Sequence, residues 1–215
     1  MSANALQLAR GLAGLCLAVV FLFATGTAPA RADAAAEIYI KNAADEATAI
    51  LNSKTMSNDA KKQALSKMID TRLDLDAIAK FTLGKYARVA TDAEKAEFTP
   101  LLKQYVINFY VNNLVNYRDV SFKVTGSQDR PNNQGSIVSS KLAAGHDEPV
   151  DAIWWVRPSQ DGLRVFDVQL QGIWVAQSLR SELDSVMGNK GGKVSAGIED
   201  LRAKVNSAPQ PNNRL

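Results

Sequence analysis

The sequence predicts a single α+β domain, with helices before and after an antiparallel sheet of about four strands. Three observations support this prediction. Apolar residues recur at spacings of three or four from residue 33 to residue 117. The period then changes to two over residues 120–171, where glycine, proline and aspartate separate the alternating runs. A helical period returns between residues 174 and 206.

The composition argues against several functional classes. The chain has 215 residues, of which 46% are hydrophobic and 22% are charged, and its formal net charge is +3. It contains one cysteine and one histidine, which are too few for a Cys/His zinc site. The balance of 25 basic against 22 acidic residues does not suit a dedicated nucleic-acid binder. We therefore expect no metal, no cofactor and no nucleic-acid partner.

Residues 1–32 have the pattern of a cleaved secretory signal peptide. Arg10 precedes an apolar run from Gly11 to Ala24, and Ala30-Arg31-Ala32 offers a small-x-small cleavage site. The run is shorter than the ~20 residues that a membrane span needs, although an uncleaved anchor is the alternative. Cys16 lies in the discarded part, so the mature chain would be secreted without a disulfide.

The predicted helices have clear start signals. The first covers residues 33–54, and Ser57 is placed to cap the second. Asp74 and Asp76 favour capping of a third helix that ends at Gly84. Thr91-Asp-Ala-Glu94 is a capping box before the longest helix, residues 92–117, which Pro100 should kink.

The four predicted strands, 120–124, 137–142, 150–156 and 163–171, are apolar on both faces. One face carries Val120, Phe122, Val124, Val138, Leu142, Val150, Ala152, Trp154, Val156, Phe166, Val168 and Leu170. The other carries Ile153, Trp155, Leu163 and Val165. Such a sheet needs cover on both faces, or one face lines a cavity. The pattern leaves both a two-sided core and an apolar pocket open.

The titratable residues give little sign of catalysis. His146 falls in a predicted turn between the second and third strands, where it has no fixed geometry for acid–base chemistry. Asp167 lies in the middle of a strand, and we expect it to form a structural ion pair with a residue such as Arg180. No nucleophile elbow, Walker, dinucleotide or zinc motif is present. We predict that the protein is not an enzyme.

Two segments carry a family resemblance. The first runs from Leu73 to Tyr86 (LDLDAIAKFTLGKY) and continues over residues 90–98. The second runs from Asp161 to Val175 (DGLRVFDVQLQGIWV) and continues over residues 179–183. In this order and separation they resemble the MlaC-type family of periplasmic phospholipid-binding proteins, also called toluene-tolerance auxiliary proteins. The resemblance extends over about residues 36–205.

The resemblance implies helices wrapped around a strongly curved sheet, with an internal apolar cavity for phospholipid acyl chains. It implies a soluble periplasmic carrier that helps to maintain outer-membrane lipid asymmetry. Its partners would be an inner-membrane ABC transporter complex with an MCE-domain protein and an outer-membrane lipoprotein–porin complex. We expect a monomer with a lipid-binding domain at residues 33–206 and a flexible tail at 207–215. Trp174 and Leu179 depart from the usual pattern, and a hopanoid or other polycyclic lipid is an alternative ligand.

Eleven residues are predicted to contact the lipid tails. They are Leu83, Tyr86, Tyr105, Phe109, Tyr110, Phe122, Val138, Trp154, Phe166, Val168 and Leu170. The basic residues Lys80, Lys85 and Arg88 either meet a phosphate or acidic partner near the mouth, or are ordinary solvated charges. Two other functional classes stay open. One is a small enzyme that pairs Asp167 with Tyr86 or Tyr105, and the other is a peptide-binding chaperone or adaptor.

Overall fold

The computed structural model describes residues 33–145 and 148–207, so the predictions for residues 1–32, for His146 and for the tail beyond Ser207 lie outside the described residues. Within these ranges the helices are α1 (Ala34–Asn52), α2 (Asn58–Arg72), α3 (Leu75–Leu83), α4 (Asp92–Leu114), α5 (Val175–Asn189) and α6 (Val194–Asn206). The strands are β1 (Val120–Asp129), β2 (Ser136–Ala144), β3 (Val150–Ser159), β4 (Gly162–Leu170) and β5 (Ile173–Trp174). Short 3-10 helices cover Gly84–Arg88 and Pro131–Asn133.

The predicted α+β fold is confirmed, with one strand more than the four that alternation indicated. The strands form one antiparallel sheet in the order β1-β2-β3-β4-β5. The fifth strand, β5, has two residues and pairs with the end of β4. Two residues are too short to show a period, so alternation could not predict β5.

Side-chain caps begin four of the helices of the described chain. A side-chain oxygen accepts hydrogen bonds from the free N–H groups of the first turn, which otherwise have no intrahelical partner. In α4 the Thr91 hydroxyl accepts from the Glu94 N–H at 3.2 Å, and the Glu94 carboxylate accepts from the Thr91 N–H at 2.8 Å. This capping box is the one predicted from the sequence. The capping residues are Asp33, Ser57, Asp74 and Thr91. The helix α4 is continuous through Pro100.

A bulge in β4 changes the face predicted for three residues, Leu163, Val165 and Phe166. Trp155 pairs with Asp167, but the next residue of β3, Val156, pairs with Val165, so Phe166 is an extra residue without a partner. Strict alternation placed Phe166 on the same face as Val168, and this was wrong. The bulge turns Phe166 towards the helices, whereas Val168 faces α1. The prediction that Leu163 and Val165 lie on the opposite face from Val168 was also wrong, because both are in or against the sheet core.

The buried side chains form three clusters. The helical core joins α3, α4, α5 and α6 and contains Leu83, Phe98, Leu102, Phe166, Leu183 and Leu201. The sheet core lies between α1 and the sheet and contains Ala36, Ile40, Val138, Val156, Val165 and Val168. The junction core lies between α1, α2, the end of α4 and β1, and contains Leu51, Leu65, Ile69, Val111 and Val120.

Leu73, between α2 and α3, packs against all three cores. It forms an isolated parallel bridge with Val165, and the N–H of the next residue, Asp74, donates to the Val165 carbonyl at 2.9 Å. The start of α3 is therefore fixed to β4 by backbone hydrogen bonding. This contact sets the position of the helical layer relative to the sheet.

Candidate functional site

The eleven predicted lipid-contacting residues do not line one continuous wall. The structure places Leu83, Tyr86, Tyr105, Tyr110 and Phe166 in or against the helical core. It places Phe122, Val138, Trp154, Val168 and Leu170 in or against the sheet core. Phe109, on α4, contacts the rings of Tyr105 and Tyr110, with ring centroids 6.3 and 5.5 Å apart. Two separate apolar groups therefore result, one on the helices and one on the sheet.

Five of these residues are buried by the protein itself. Leu83, Tyr86, Val138, Phe166 and Val168 are each at most 6% exposed. Phe166 makes edge-to-face contacts with Phe81 and Trp155, at centroid distances of 5.3 and 4.8 Å. Side chains this enclosed contribute to core packing and offer little free surface to a ligand in this conformation.

The other six are large apolar side chains that stay half-buried. They are Tyr105, Phe109, Tyr110, Phe122, Trp154 and Leu170. Phe122 and Trp154, on β1 and β3, contact each other edge-to-face at 5.9 Å between ring centroids. Ligand sites are lined mainly by apolar and aromatic surface of this kind. The half-buried set is therefore the part of the predicted site with surface available to a ligand.

A buried serine fixes the orientation of Trp154. The Trp154 indole N–H donates to the Ser140 hydroxyl at 2.8 Å, and that hydroxyl donates to the Ala152 carbonyl at 3.1 Å. Ser140 is 1% exposed, so both of its hydrogen bonds are shielded from water. The indole N–H is satisfied within the sheet, and the remainder of the ring is left as an apolar surface.

Asp167 does not pair with Arg180, contrary to the prediction from sequence. One carboxylate oxygen, Oδ1, accepts from the backbone N–H groups of Val168 at 2.8 Å and Ala176 at 2.7 Å. The other oxygen, Oδ2, is buried and has no hydrogen-bond partner among the described residues. The first turn of α5 has N–H groups without intrahelical partners, and the Ala176 N–H takes the place of the predicted Arg180 partner.

The tyrosine that is electrostatically coupled to Asp167 is Tyr110. Burial raises the pKa of Tyr110, and the negative charge of Asp167 raises it further. Burial also raises the pKa of Asp167, against the backbone N–H groups that lower it. The Tyr86 hydroxyl instead donates to the Asp184 carbonyl at 3.3 Å. The acid–base pair of Asp167 with Tyr86 considered from the sequence is therefore not formed.

Two depressions on the described surface are lined largely by charged side chains and are open to solvent. One has a volume of about 300 Å³ and is lined by Lys80, Phe81, Gly84, Lys85, Arg88 and Arg180. A neighbouring one of about 370 Å³ is lined by Lys85, Arg180, Ser181 and Asp184. Neither is apolar. The enclosed apolar cavity implied by the family resemblance stays a prediction.

The comparisons with known proteins identify the family. The family model described as MlaC protein matches residues 41–203. The chain belongs to the MlaC family. All eleven predicted lipid-contacting residues lie within the matched range. None of the curated proteins compared with the sequence matches it.

A solved structure supports the same fold for this MlaC-family chain. It is a phospholipid-binding protein from Ralstonia solanacearum, determined in complex with a phospholipid. The two structures superpose with a TM-score of 0.69 at 20% sequence identity, covering 79% of this chain and 96% of the Ralstonia chain. At this level of identity the similarity establishes the fold.

No helix in residues 33–145 and 148–207 is long and apolar enough to cross a bilayer. No cluster of three or more His, Cys, Asp or Glu side chains in the same ranges could hold a metal ion.

Two features of this MlaC-family chain that bear on its surface were not predicted from the sequence. Ser140 occupies a core-facing position of β2 between Val138 and Leu142, and that position was the available signal for a buried polar contact. The stacking of Arg180 on Phe81 joins α5 to α3. These residues are far apart in the chain, so no local pattern indicated their contact.

Proposed function

We propose that this MlaC-family protein is a lipid carrier that shelters the acyl chains of a phospholipid. The observation that carries the proposal is the similarity of fold to the Ralstonia protein, which was solved with a bound phospholipid and is covered over 96% of its length. The family match over residues 41–203 supports the same assignment. A hopanoid or other polycyclic lipid is the alternative ligand.

Elementary energetics explain why lipid transfer through water requires a carrier. At ~0.8 kcal/mol per CH₂, the roughly 28 methylenes of a diacyl lipid cost about 20 kcal/mol when exposed to water. A carrier lowers this cost by replacing water around the chains with apolar side chains. No bond is made or broken in the process, so binding and release require neither an acid–base pair nor a metal.

The half-buried residues are the proposed first contacts for the acyl chains. They present apolar surface on α4 (Tyr105, Phe109, Tyr110) and on the sheet (Phe122, Trp154, Leu170). The buried residues of the predicted set would line the site only if the helical and sheet cores moved apart. Leu73 touches both cores, so it is the natural pivot for such an opening. In this proposal the full cavity forms as the lipid enters.

The cellular part of the proposal follows the family. We infer that residues 1–32 direct export and that the mature protein acts in the periplasm as a monomer. It would accept and deliver lipid at an inner-membrane ABC transporter complex with an MCE-domain protein and at an outer-membrane lipoprotein–porin complex. Release from the carrier must be coupled to docking on a membrane complex, because acyl chains released directly into water would incur the full cost of exposing their methylenes.

The test is the identity of the molecule that the protein carries. The full chain is expressed in a Gram-negative host, the secreted protein is purified without detergent, and the extracted ligand is identified by mass spectrometry. A diacyl phospholipid in a fixed ratio to protein is the expected result. A polycyclic lipid would support a carrier of the alternative ligand class. Recovery of peptide, or of no lipid from folded protein, would contradict the carrier assignment.

A further inference from the structure

The guanidinium group of Arg180 is held in place without a carboxylate. Its Cζ lies 4.6 Å from the centroid of the Phe81 ring. On another side it approaches Gly84, whose φ is +56°. A Cβ at Gly84 would lie 3.3 Å from both Nε and Nη2 of Arg180. An aromatic face and a glycine therefore make room for this cation and limit its movement.

Arg180 is one of four cations around the depression of about 300 Å³ between α3, the following 3-10 helix and α5; the others are Lys80, Lys85 and Arg88. Lys85 pairs with Asp184 at 2.8 Å. Lys80, Arg88 and Arg180 form no ion pair with a carboxylate of the described chain. Like charges gathered at one site repel, and a bound anion would relieve that repulsion.

Beyond the depression, further arginine side chains stack on aromatic rings, as Arg180 does on Phe81. Phe81 contacts Phe166, and Phe166 contacts Trp155. Arg157 lies 4.4 Å from the Phe166 centroid, and Arg130 lies 3.9 Å from the Trp155 centroid. Neither arginine forms an ion pair with a carboxylate in the part of the chain that the structure describes. The depression is thus the concave end of a longer row of positive charge, which would attract anions towards it.

We propose that this depression binds a phosphate group, with Arg180 as the principal donor and Lys80 and Arg88 as flanking charges. A planar guanidinium can donate two parallel hydrogen bonds to two phosphate oxygens, and its position is already restricted by Phe81 and Gly84. The negative end of α3 lies nearby and opposes anion binding. That end carries the equivalent of about half a charge, which the surrounding cations exceed.

Phosphate chemistry has two possible sources here. One is the headgroup of a phospholipid, and this source rests on the proposed function. The other is a free phosphate compound, which does not. The site itself can therefore be tested separately from lipid carriage.

The binding experiment uses the purified, ¹⁵N-labelled secreted protein and three probes. They are inorganic phosphate, a water-soluble dihexanoyl phosphatidylglycerol, and dihexanoylglycerol, which has the same chains without phosphate. We expect either phosphate probe to shift the NMR signals of the Arg180 side chain and of residues 80–88, and we expect the diacylglycerol not to do so. Shifts with phosphatidylglycerol alone would support the headgroup source, and shifts with inorganic phosphate would support a general phosphate site.

Matched variants decide whether the binding is specific. Arg180→Gln should weaken phosphate binding by about tenfold, the loss expected for one charge-assisted pair. Arg180→Lys keeps the charge but removes the planar fork, so it should also weaken binding. Lys62→Gln, an exposed lysine on α2, removes the same charge elsewhere and should leave affinity unchanged. Lys80→Gln provides a second test on an exposed position that does not enter the core.

Two results would overturn the site. One is the absence of any shift at residues 80–88 with both phosphate probes. The other is an equal loss of affinity in Arg180→Gln and Lys62→Gln, because that would show attraction by net charge alone. Lipid recovered from the secreted protein together with either result would leave the carrier proposal intact and reject the phosphate site.

Discussion

The Asp167 carboxylate accepts a hydrogen bond from the Ala176 N–H at 2.7 Å and so joins β4 to the first turn of α5. Its second oxygen, Oδ2, is buried without a partner among the described residues. Asp167 therefore stabilises one helix end while it carries a charge that is costly to bury.

The first prediction concerns the pH dependence of stability. Burial raises the pKa of Asp167 above its unfolded value. The folded protein then binds this proton more readily, so the free energy of unfolding falls as pH rises from the unfolded pKa, about 3.9, through the raised folded pKa. Asp167→Asn keeps an oxygen for the backbone donors and removes the charge. We expect it to flatten this dependence and to raise stability at neutral pH by about 1 kcal/mol.

Urea unfolding at several pH values measures this effect. Asp70→Asn, at an exposed position of α2, is the control and should follow the wild type. Asp33 contributes with the opposite sign, because the Ser136 hydroxyl lowers its pKa and the associated stability is lost as pH falls. If the free energy of unfolding depended on pH equally in the wild type and in Asp167→Asn, the pH dependence could not be assigned to Asp167.

The second prediction tests the capping box of α4. Thr91→Ala removes the hydroxyl that accepts from the Glu94 N–H and should lower the free energy of unfolding by about 1 kcal/mol. Glu94→Gln retains an oxygen that can accept from the Thr91 N–H, so it should be milder. Chemical denaturation followed by circular dichroism compares the two. A Thr91→Ala protein as stable as the wild type would show that the Thr91 cap does not contribute to the free energy of unfolding.

The third prediction compares two glycines of similar backbone conformation. Gly135 has φ +86°, and a Cβ there would lie 2.0 Å from the Val156 carbonyl oxygen. Gly172 has φ +82°, with no atom within 4 Å of such a Cβ. Gly172→Ala should therefore cost only the conformational strain, about 1 kcal/mol. Gly135→Ala must also move one of two paired strands and should cost about 3 kcal/mol or more.

Thermal and urea unfolding of the two glycine variants provide the measurement. Because the φ angles nearly match, the difference between the variants isolates the steric clash at β3. Similar losses in both proteins would mean that the turn before β2 shifts without cost and that the close approach is unimportant.

The fourth prediction concerns the proposed lipid surface. Phe109 is half-buried on α4 and touches Tyr105 and Tyr110, but it belongs to none of the three cores. Phe109→Ala should therefore reduce the amount of co-purified lipid while lowering stability by less than the ~3 kcal/mol typical of a fully buried phenylalanine. Lipid per protein, measured by mass spectrometry, is the readout, and Val89→Ala at a 68% exposed position is the control.

Phe109 is a better test than Val168. Val168 is 4% exposed within the sheet core, so Val168→Glu would bury a charge and unfold the protein before its lipid content could be interpreted. Unchanged lipid content in a folded Phe109→Ala protein would exclude that residue from the site.

The sequence could predict those parts of the fold that depend on neighbouring residues. Thr91 and Glu94 are three positions apart, and the cap at Asp74 acts on Ala77, so both are visible in the chain. The α+β order and the strand period are similarly local. The bulge at Phe166 was not predictable in this way, because it depends on how β3 and β4 pair.

The candidate site was harder to predict for the same reason. Alternation identified apolar residues correctly, but it could not separate Val138 in the sheet core from Trp154 at its margin. Nor could it show that a backbone N–H of α5 would bind one carboxylate oxygen of Asp167, or that Arg180 would stack on Phe81. These outcomes depend on contacts between distant segments of the chain.

The brevity of β5 affects how this molecule meets copies of itself. One outer strand, β1, has α1 packed along it, and the opposite margin ends in the two residues Ile173 and Trp174. The strand β5 therefore offers a neighbouring chain only two residues on which to add a strand. We expect β5 itself to contribute little to edge-to-edge association between copies of the chain.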